Sequence, residues 1–141
     1  MDIDELTTPV IKVWDQVLVV PLVGAIDAGR ADRVMEDLLQ GIVAHQASIV
    51  IIDVTGVPVV DTNVVHHLMQ AVKAAGLLGA RSVLVGISAK VALTMVQLGV
   101  DLSGVETRSN LQAGIELAFD ALDLKIVPRK TDGAGVEGGQ T

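Results

Sequence analysis

The sequence predicts an α/β sandwich, with a mostly parallel or mixed five-stranded sheet and about four helices packed on it. Three observations carry this. Strand-like and helix-like stretches alternate along most of the 141 residues, which points to parallel pairing through right-handed crossovers. The run Ile49-Val50-Ile51-Ile52 is unbroken and β-branched, the pattern of a strand buried on both faces. Half of the residues are apolar, yet Trp14 and Phe119 are the only Trp, Tyr or Phe side chains, so the core must be closely packed Val, Leu, Ile and Ala. A chain of this length supports one domain around one core.

The elements follow in order. Residues 1–9 form an acidic leader. Val10 to Val13 and Val17 to Val23 read as two short strands joined by a turn at Trp14-Asp15-Gln16. Gly24 breaks the pattern, and Asp27 caps a helix whose positions Ala31, Val34, Met35, Leu38, Leu39, Ile42 and Val43 keep the helical period. That helix ends near His45 and leaves Arg30, Arg33, Glu36 and Asp37 for solvent. Ser48 to Val54 is the central strand. After the turn Thr55-Gly56-Val57-Pro58, a helix runs from Thr62 to about Leu78, capped by Asp61 or Thr62, with Val64, Val65, Leu68, Met69, Val72 and Ala75 as its apolar stripe. Ser82 to Ile87 is a further buried strand, and Ser88 caps a helix from Ala89 to Leu98 closed by Gly99. A short edge strand is expected around Val105-Glu106-Thr107, then a last amphipathic helix, capped by Ser109 or Asn110, carrying Leu111, Ile115, Leu117, Ala118, Phe119 and Leu122. From Pro128 the composition turns to Lys, Gly, Asp and Gln, which cannot bury enough apolar area to order itself. The domain is therefore expected over residues 10–124, and a disordered tail over 125–141.

Charge and composition exclude several functions. The formal charge is −7, which repels phosphate backbones and anionic lipid and argues against nucleic-acid or membrane partners. The absence of cysteine removes disulfides, thiol catalysis and thiolate metal sites, in keeping with a reducing cytoplasm. The longest apolar run falls far short of the roughly 20 residues that a membrane helix needs.

A catalytic site requires converging reactive groups, and few are legible. No glycine-rich phosphate loop or serine-hydrolase elbow is present. His66 and His67 are adjacent, so on a helix they point about 100° apart and cannot chelate one metal together; one surface and one partly covered histidine is the expected arrangement. Asp53, at the carboxyl end of the central strand, stands where α/β sheets place their sites. A phosphate-accepting receiver domain, however, needs an acidic pair after the first strand and a lysine after a later strand. Asp27 stands alone and Lys90 already lies within a helix, so Asp53 is expected to tie the turn to backbone N–H groups. There remains Asp61-Thr62, which places a hydroxyl at a helix N-terminus, where backbone N–H groups lack partners and negative charge is favoured. Taken alone the pair reads as an ordinary cap.

The residues carry more as a set. Ile52-Asp53-Val54-Thr55-Gly56-Val57-Pro58-Val59-Val60-Asp61-Thr62, Leu78-Gly79-Ala80, Val85-Gly86-Ile87, Leu98-Gly99-Val100-Asp101-Leu102 and Thr107-Arg108-Ser109-Asn110-Leu111-Gln112-Ala113-Gly114-Ile115 together resemble the STAS domain of anti-sigma-factor antagonists, nearest to stressosome scaffold and co-antagonist proteins. The resemblance spans about Val10 to Leu122 and implies a STAS-type sandwich and a non-catalytic regulatory module without cofactors or metal. It implies phosphorylation of Thr62 by a switch serine/threonine kinase, removal of that phosphate by a phosphatase, and association with other STAS proteins. Thr94, in Val91-Ala92-Leu93-Thr94-Met95, matches a second phosphoacceptor of the scaffold members. Those members usually carry a sensory domain ahead of the STAS domain, whereas about nine residues precede the first strand here. A co-antagonist, an excised domain and a stand-alone relative all remain open.

Phosphate on Thr62 adds about −1.5 to −2 charge, tolerated at a helix N-terminus but opposed to docking on the surface formed by Pro58, Val59, Thr62, Asn63 and His66. Asp61 is expected to orient the threonine hydroxyl or the kinase's metal. Two alternatives stand beside this switch: a unit that serves only assembly, through apolar surface on the early strands or last helix, and a sensor of small ligands or anions.

Overall fold

The computed structural model describes residues 9–124 and 127–129. Strands β1 (Ile11–Trp14) and β2 (Val17–Val23) form the expected antiparallel hairpin. Gln16 closes its turn with a left-handed backbone, φ 68°. Its carbonyl oxygen accepts from the backbone N–H groups of Ser48 (2.8 Å) and Ile49 (3.0 Å), so the turn is fixed to the start of the central strand. Helix α1 (Ala28–His45), strand β3 (Ile49–Gly56), helix α2 (Thr62–Leu77), strand β4 (Arg81–Val85), helix α3 (Ala89–Gln97), strand β5 (Glu106–Arg108) and helix α4 (Leu111–Ala121) follow. The sheet order is β1-β2-β3-β4-β5, with every pairing after the hairpin parallel. The sheet is therefore mixed, five-stranded and accompanied by four helices.

Period-two alternation divides the strands between two faces. Leu18, Val20, Leu22, Val50, Ile52, Val54 and Leu84 face α1 and α2, which contribute Val34, Leu38, Ile42, Val64 and Leu68. On the opposite face Val17, Val19, Ile49, Ile51, Val83 and Val85 meet Leu117 and Ala118 of α4. Helix α3 lies outside this sandwich, held to α2 through Val65, Val91 and Met95. Gly114 lets α4 approach closely, since a Cβ there would stand 2.7 Å from Val85 Cγ1 and 3.2 Å from Ile51 Cγ2. Both neighbours are stiff β-branched side chains. Gly114→Ala is expected to cost about 1–3 kcal/mol by overpacking, read as a lower urea midpoint.

Several boundaries differ from expectation for tertiary reasons. Strand β3 runs on to Gly56 because Val23 still pairs with it and the Gly24 N–H donates to the Gly56 carbonyl at 2.8 Å. Strand β4 stops at Val85 rather than Ile87, since Gly86 turns the chain at φ +81°. The edge strand starts one residue later than expected, because the Val105 N–H turns back to the Leu102 carbonyl at 3.2 Å and Val105 packs against the α1/α2-side core. Arg30 is not left for solvent: its Nη1 donates to the carbonyl oxygens of Val23 (2.6 Å) and Ala25 (3.0 Å), bracing the β2–α1 connection. The leader and tail lie outside the described residues apart from Pro9 and residues 127–129.

Candidate switch site

Parallel strands followed by helices bring the N-termini of α1, α2 and α3 to the carboxyl edge of the sheet. This is the edge where α/β folds assemble their sites. The chain leaves β3 through a turn closed by the Val57 N–H donating to the Val54 carbonyl at 3.0 Å. Val57 is buried, Pro58 and Val59 are exposed, and Val60 is half-buried, packing both on the α1/α2-side core and on the cluster beneath α3.

Asp61, and not Thr62, is the cap of α2. Its backbone is extended (φ −117°, ψ 176°) and its Oδ1 accepts the Val64 N–H at 2.8 Å. Thr62 is the first helical residue and is exposed. Among the described residues its hydroxyl makes no hydrogen bond, so the expected alignment of that hydroxyl by Asp61 is not present. One of the two Asp61 carboxylate oxygens, Oδ1, is spent on the cap instead. Asp61→Ala is expected to cost about 1 kcal/mol and Asp61→Asn almost nothing, since an amide oxygen caps as well; thermal unfolding of the two variants checks this.

Pro58, Val59, Asp61, Thr62, Asn63 and His66 are all exposed and follow one another through the loop and the start of α2. His66 and His67 divide as expected: His66 is exposed, while the half-buried His67 donates from Nδ1 to the Asn63 carbonyl at 2.7 Å and holds Nε2 3.5 Å from Asp32 of α1. Asp53 ties the β3 turn, its Oδ1 accepting from the Thr55 N–H (2.9 Å) and the Thr55 hydroxyl (2.6 Å).

Thr94 is not part of this surface. It stands half-buried on α3, its hydroxyl donating to the Lys90 carbonyl at 3.0 Å. The connection after α3 is pinned by Asp101, whose carboxyl lies below its ordinary range because it accepts first from the Ser103 backbone N–H and then from the Ser103 hydroxyl.

One contact near the site escapes sequence reading. Gly86 faces the Asp53–Thr55 pair so closely that a Cβ on it would fall 2.1 Å from Thr55 Oγ1 and 2.9 Å from Thr55 N. A Val-Gly-Ile triplet after a strand signals a turn, but not what faces it.

The STAS domain profile matches residues 8–114. The chain belongs to the STAS domain family. Within it, this domain is 51% identical over 125 residues to the RsbT co-antagonist protein RsbRA of Bacillus subtilis, spanning 89% of this chain and 46% of that relative. The chain thus spans less than half the length of that relative. Among solved structures it is similar to a variant of RsbS from Moorella thermoacetica, at 32% identity and a TM-score of 0.71, over 83% of this chain and 98% of that one. A chain from a structure describing the molecular architecture of the stressosome matches at 32% identity and a TM-score of 0.66, over 82% of this chain and 100% of that one.

Proposed function

We propose that this STAS domain is a non-catalytic, phosphorylation-switched regulatory module of the anti-sigma-factor antagonist and stressosome type, acting in the cytoplasm. A switch serine/threonine kinase docks on the surface formed by Pro58, Val59, Asp61, Asn63 and His66 and phosphorylates Thr62, with Thr94 as a second acceptor. A cognate phosphatase reverses the modification, and the domain associates with other STAS proteins. Similarity to a protein named as an RsbT co-antagonist and to a stressosome chain supports this reading. Among the described residues no helix is long and apolar enough to cross a membrane.

The observation that carries the proposal is the exposed Thr62 hydroxyl at the first position of α2, which bonds to nothing among the described residues. A phosphate there sits at the positive end of the helix, so the fold tolerates it. The same phosphate puts a dianion beside Asp61 on the docking surface. Phosphosite mapping after incubation with the switch kinase and ATP tests the assignment: modification at Thr62, with Thr94, is the expected result, and modification confined to Thr55 or Ser88 overturns it.

Assembly has its own support. Ile11, Val13 and Trp14 of β1 are exposed on an edge strand, with the Trp14 ring edge-to-face on Phe119 of α4 at 5.7 Å. An apolar edge of this kind favours pairing with another chain. Size-exclusion chromatography of Trp14→Glu beside the wild type reads that contribution.

A further inference from the structure

The two acceptor threonines stand at opposite ends of their helices. Thr62 opens α2, whereas Thr94 is close to the end of the short helix Ala89–Gln97. The Thr94 carbonyl accepts the N–H of the C-cap residue Leu98 at 2.9 Å, so this threonine opens the last turn of the helix, next to the carbonyls that carry the negative end of its dipole. The residue is half-buried, and its hydroxyl already donates within the helix, to the Lys90 carbonyl.

Transfer of the terminal phosphoryl group of ATP to Thr94 forms a P–O bond at Oγ1, breaks the bond to ADP and releases the hydroxyl proton. The oxygen that donated to Lys90 can then no longer donate. A dianion replaces it beside a carbonyl oxygen and next to the helix C-terminus, a position where phosphate disrupts rather than orders. Lys90, one turn earlier, offers its ammonium, but a cation N-terminal to an anion at this spacing is the weaker orientation on a helix.

Helix α3 has little to oppose this charge. It is shorter than a helix that persists on its own in water, and only Val91 and Met95 are buried from it, in a small cluster with Val65 of α2 on which Met69, Ile87, Val100 and Leu102 also pack. Its outward Leu93 and Val96 are 59% and 76% exposed and add no hold on the domain. Val60 of the switch loop packs on the same cluster.

We propose that phosphate on Thr94 acts by a route different from phosphate on Thr62: it unseats α3 from α2 and, through Val60, loosens the Val57–Asp61 loop that presents Thr62. The first modification changes the charge of a fixed surface; the second changes whether that surface is fixed. The coupling runs through packed side chains with two arrangements, docked and undocked. This inference rests on Thr94 being an acceptor, as proposed above, but its test does not use the kinase.

Phosphothreonine is placed at residue 94 or at residue 62 by genetic encoding, and amide hydrogen exchange is compared with the unmodified domain. With phosphate at residue 94, the amides of Val91–Gln97 and of Val59–Asp61 are expected to exchange at least about tenfold faster, while β2 and β3 keep their protection. With phosphate at residue 62, α3 exchanges as in the unmodified domain. Thr94→Val, which removes the hydroxyl but adds no charge, leaves α3 within about twofold of the wild type. Unchanged α3 exchange with phosphate at residue 94 overturns the proposal, as does equal loss of protection in β2 and β3, which would mean global unfolding. Lys90→Ala is expected to increase the effect of phosphate at residue 94; a decrease would show that Lys90 drives the change and would overturn the charge argument.

Discussion

Thr62→Asp is expected to weaken binding of the switch kinase by at least about tenfold, or ~1.4 kcal/mol, whereas Thr62→Ala stays near the wild-type affinity. The alanine variant loses a hydroxyl that bonds to nothing among the described residues and is not the cap of α2, so its folding stability should hold within about 0.5 kcal/mol. The aspartate variant adds a negative charge at the N-terminus of a helix, which the dipole favours. Neither substitution damages the domain, so lost binding cannot be ascribed to unfolding. What changes is the surface: Thr62 and Asp61 become adjacent carboxylates, and a partner that buries them must strip water from both. Like charges brought together at an interface cost several kcal/mol, which makes tenfold a lower expectation. The difference should also shrink with added salt, as the screening length falls from about 10 Å at 0.1 M towards 3 Å at 1 M. Titration calorimetry of the three proteins at two salt concentrations reads both effects. Equal affinities for the alanine and aspartate variants would remove the electrostatic switch.

The largest expected effect on stability lies at Gly86. Gly86→Ala should cost about 2–5 kcal/mol, combining roughly 1–2 for a left-handed backbone carrying a Cβ with roughly 1–3 for overpacking. The residue sits at φ +81°, and its new methyl group would collide with the Thr55 hydroxyl, the Thr55 amide and the Asp53 carboxylate. Those groups cannot simply move aside, because Asp53 Oδ1 holds both the amide and the hydroxyl of Thr55. Repeating the substitution in a Thr55→Ala background separates the causes. The hydroxyl collision disappears while the backbone strain and the amide contact remain, so Gly86→Ala should cost less there. Chemical denaturation of the four proteins gives the comparison. An equal cost in both backgrounds would assign the whole effect to the backbone.

Much of the architecture was legible because its signals are local. The β-branched run of Ile49 to Ile52 and the helical spacing of Ala31, Val34, Leu38 and Ile42 each fix one element without reference to the rest. Asp27 and Ser88 are caps in the structure, each accepting a backbone N–H three residues ahead, as their positions before apolar periodic stretches indicate, and of the two candidates at the last helix Asn110 takes that place. The surface around Thr62 was legible for the same reason, since it is one continuous loop and helix turn. Arg30 was not: a charged residue on the polar side of a helix reads as solvated, and nothing nearby in sequence says that two carbonyl oxygens of the preceding connection await it. The choice between Asp61 and Thr62 as cap was also open, because both residue types serve and only the backbone geometry decides.

By itself the sequence determined the order of strands and helices, the apolar side of each helix and the hydroxyl that opens α2, because periodicity and capping depend on residues within a few positions of one another. Only the tertiary structure decided that Gly86 is pressed against Thr55 and that Val60 packs the Val57–Asp61 loop onto the cluster beneath α3. Each of these is set by where separately formed elements come to rest when they bury their apolar faces together, and a linear pattern does not encode that distance.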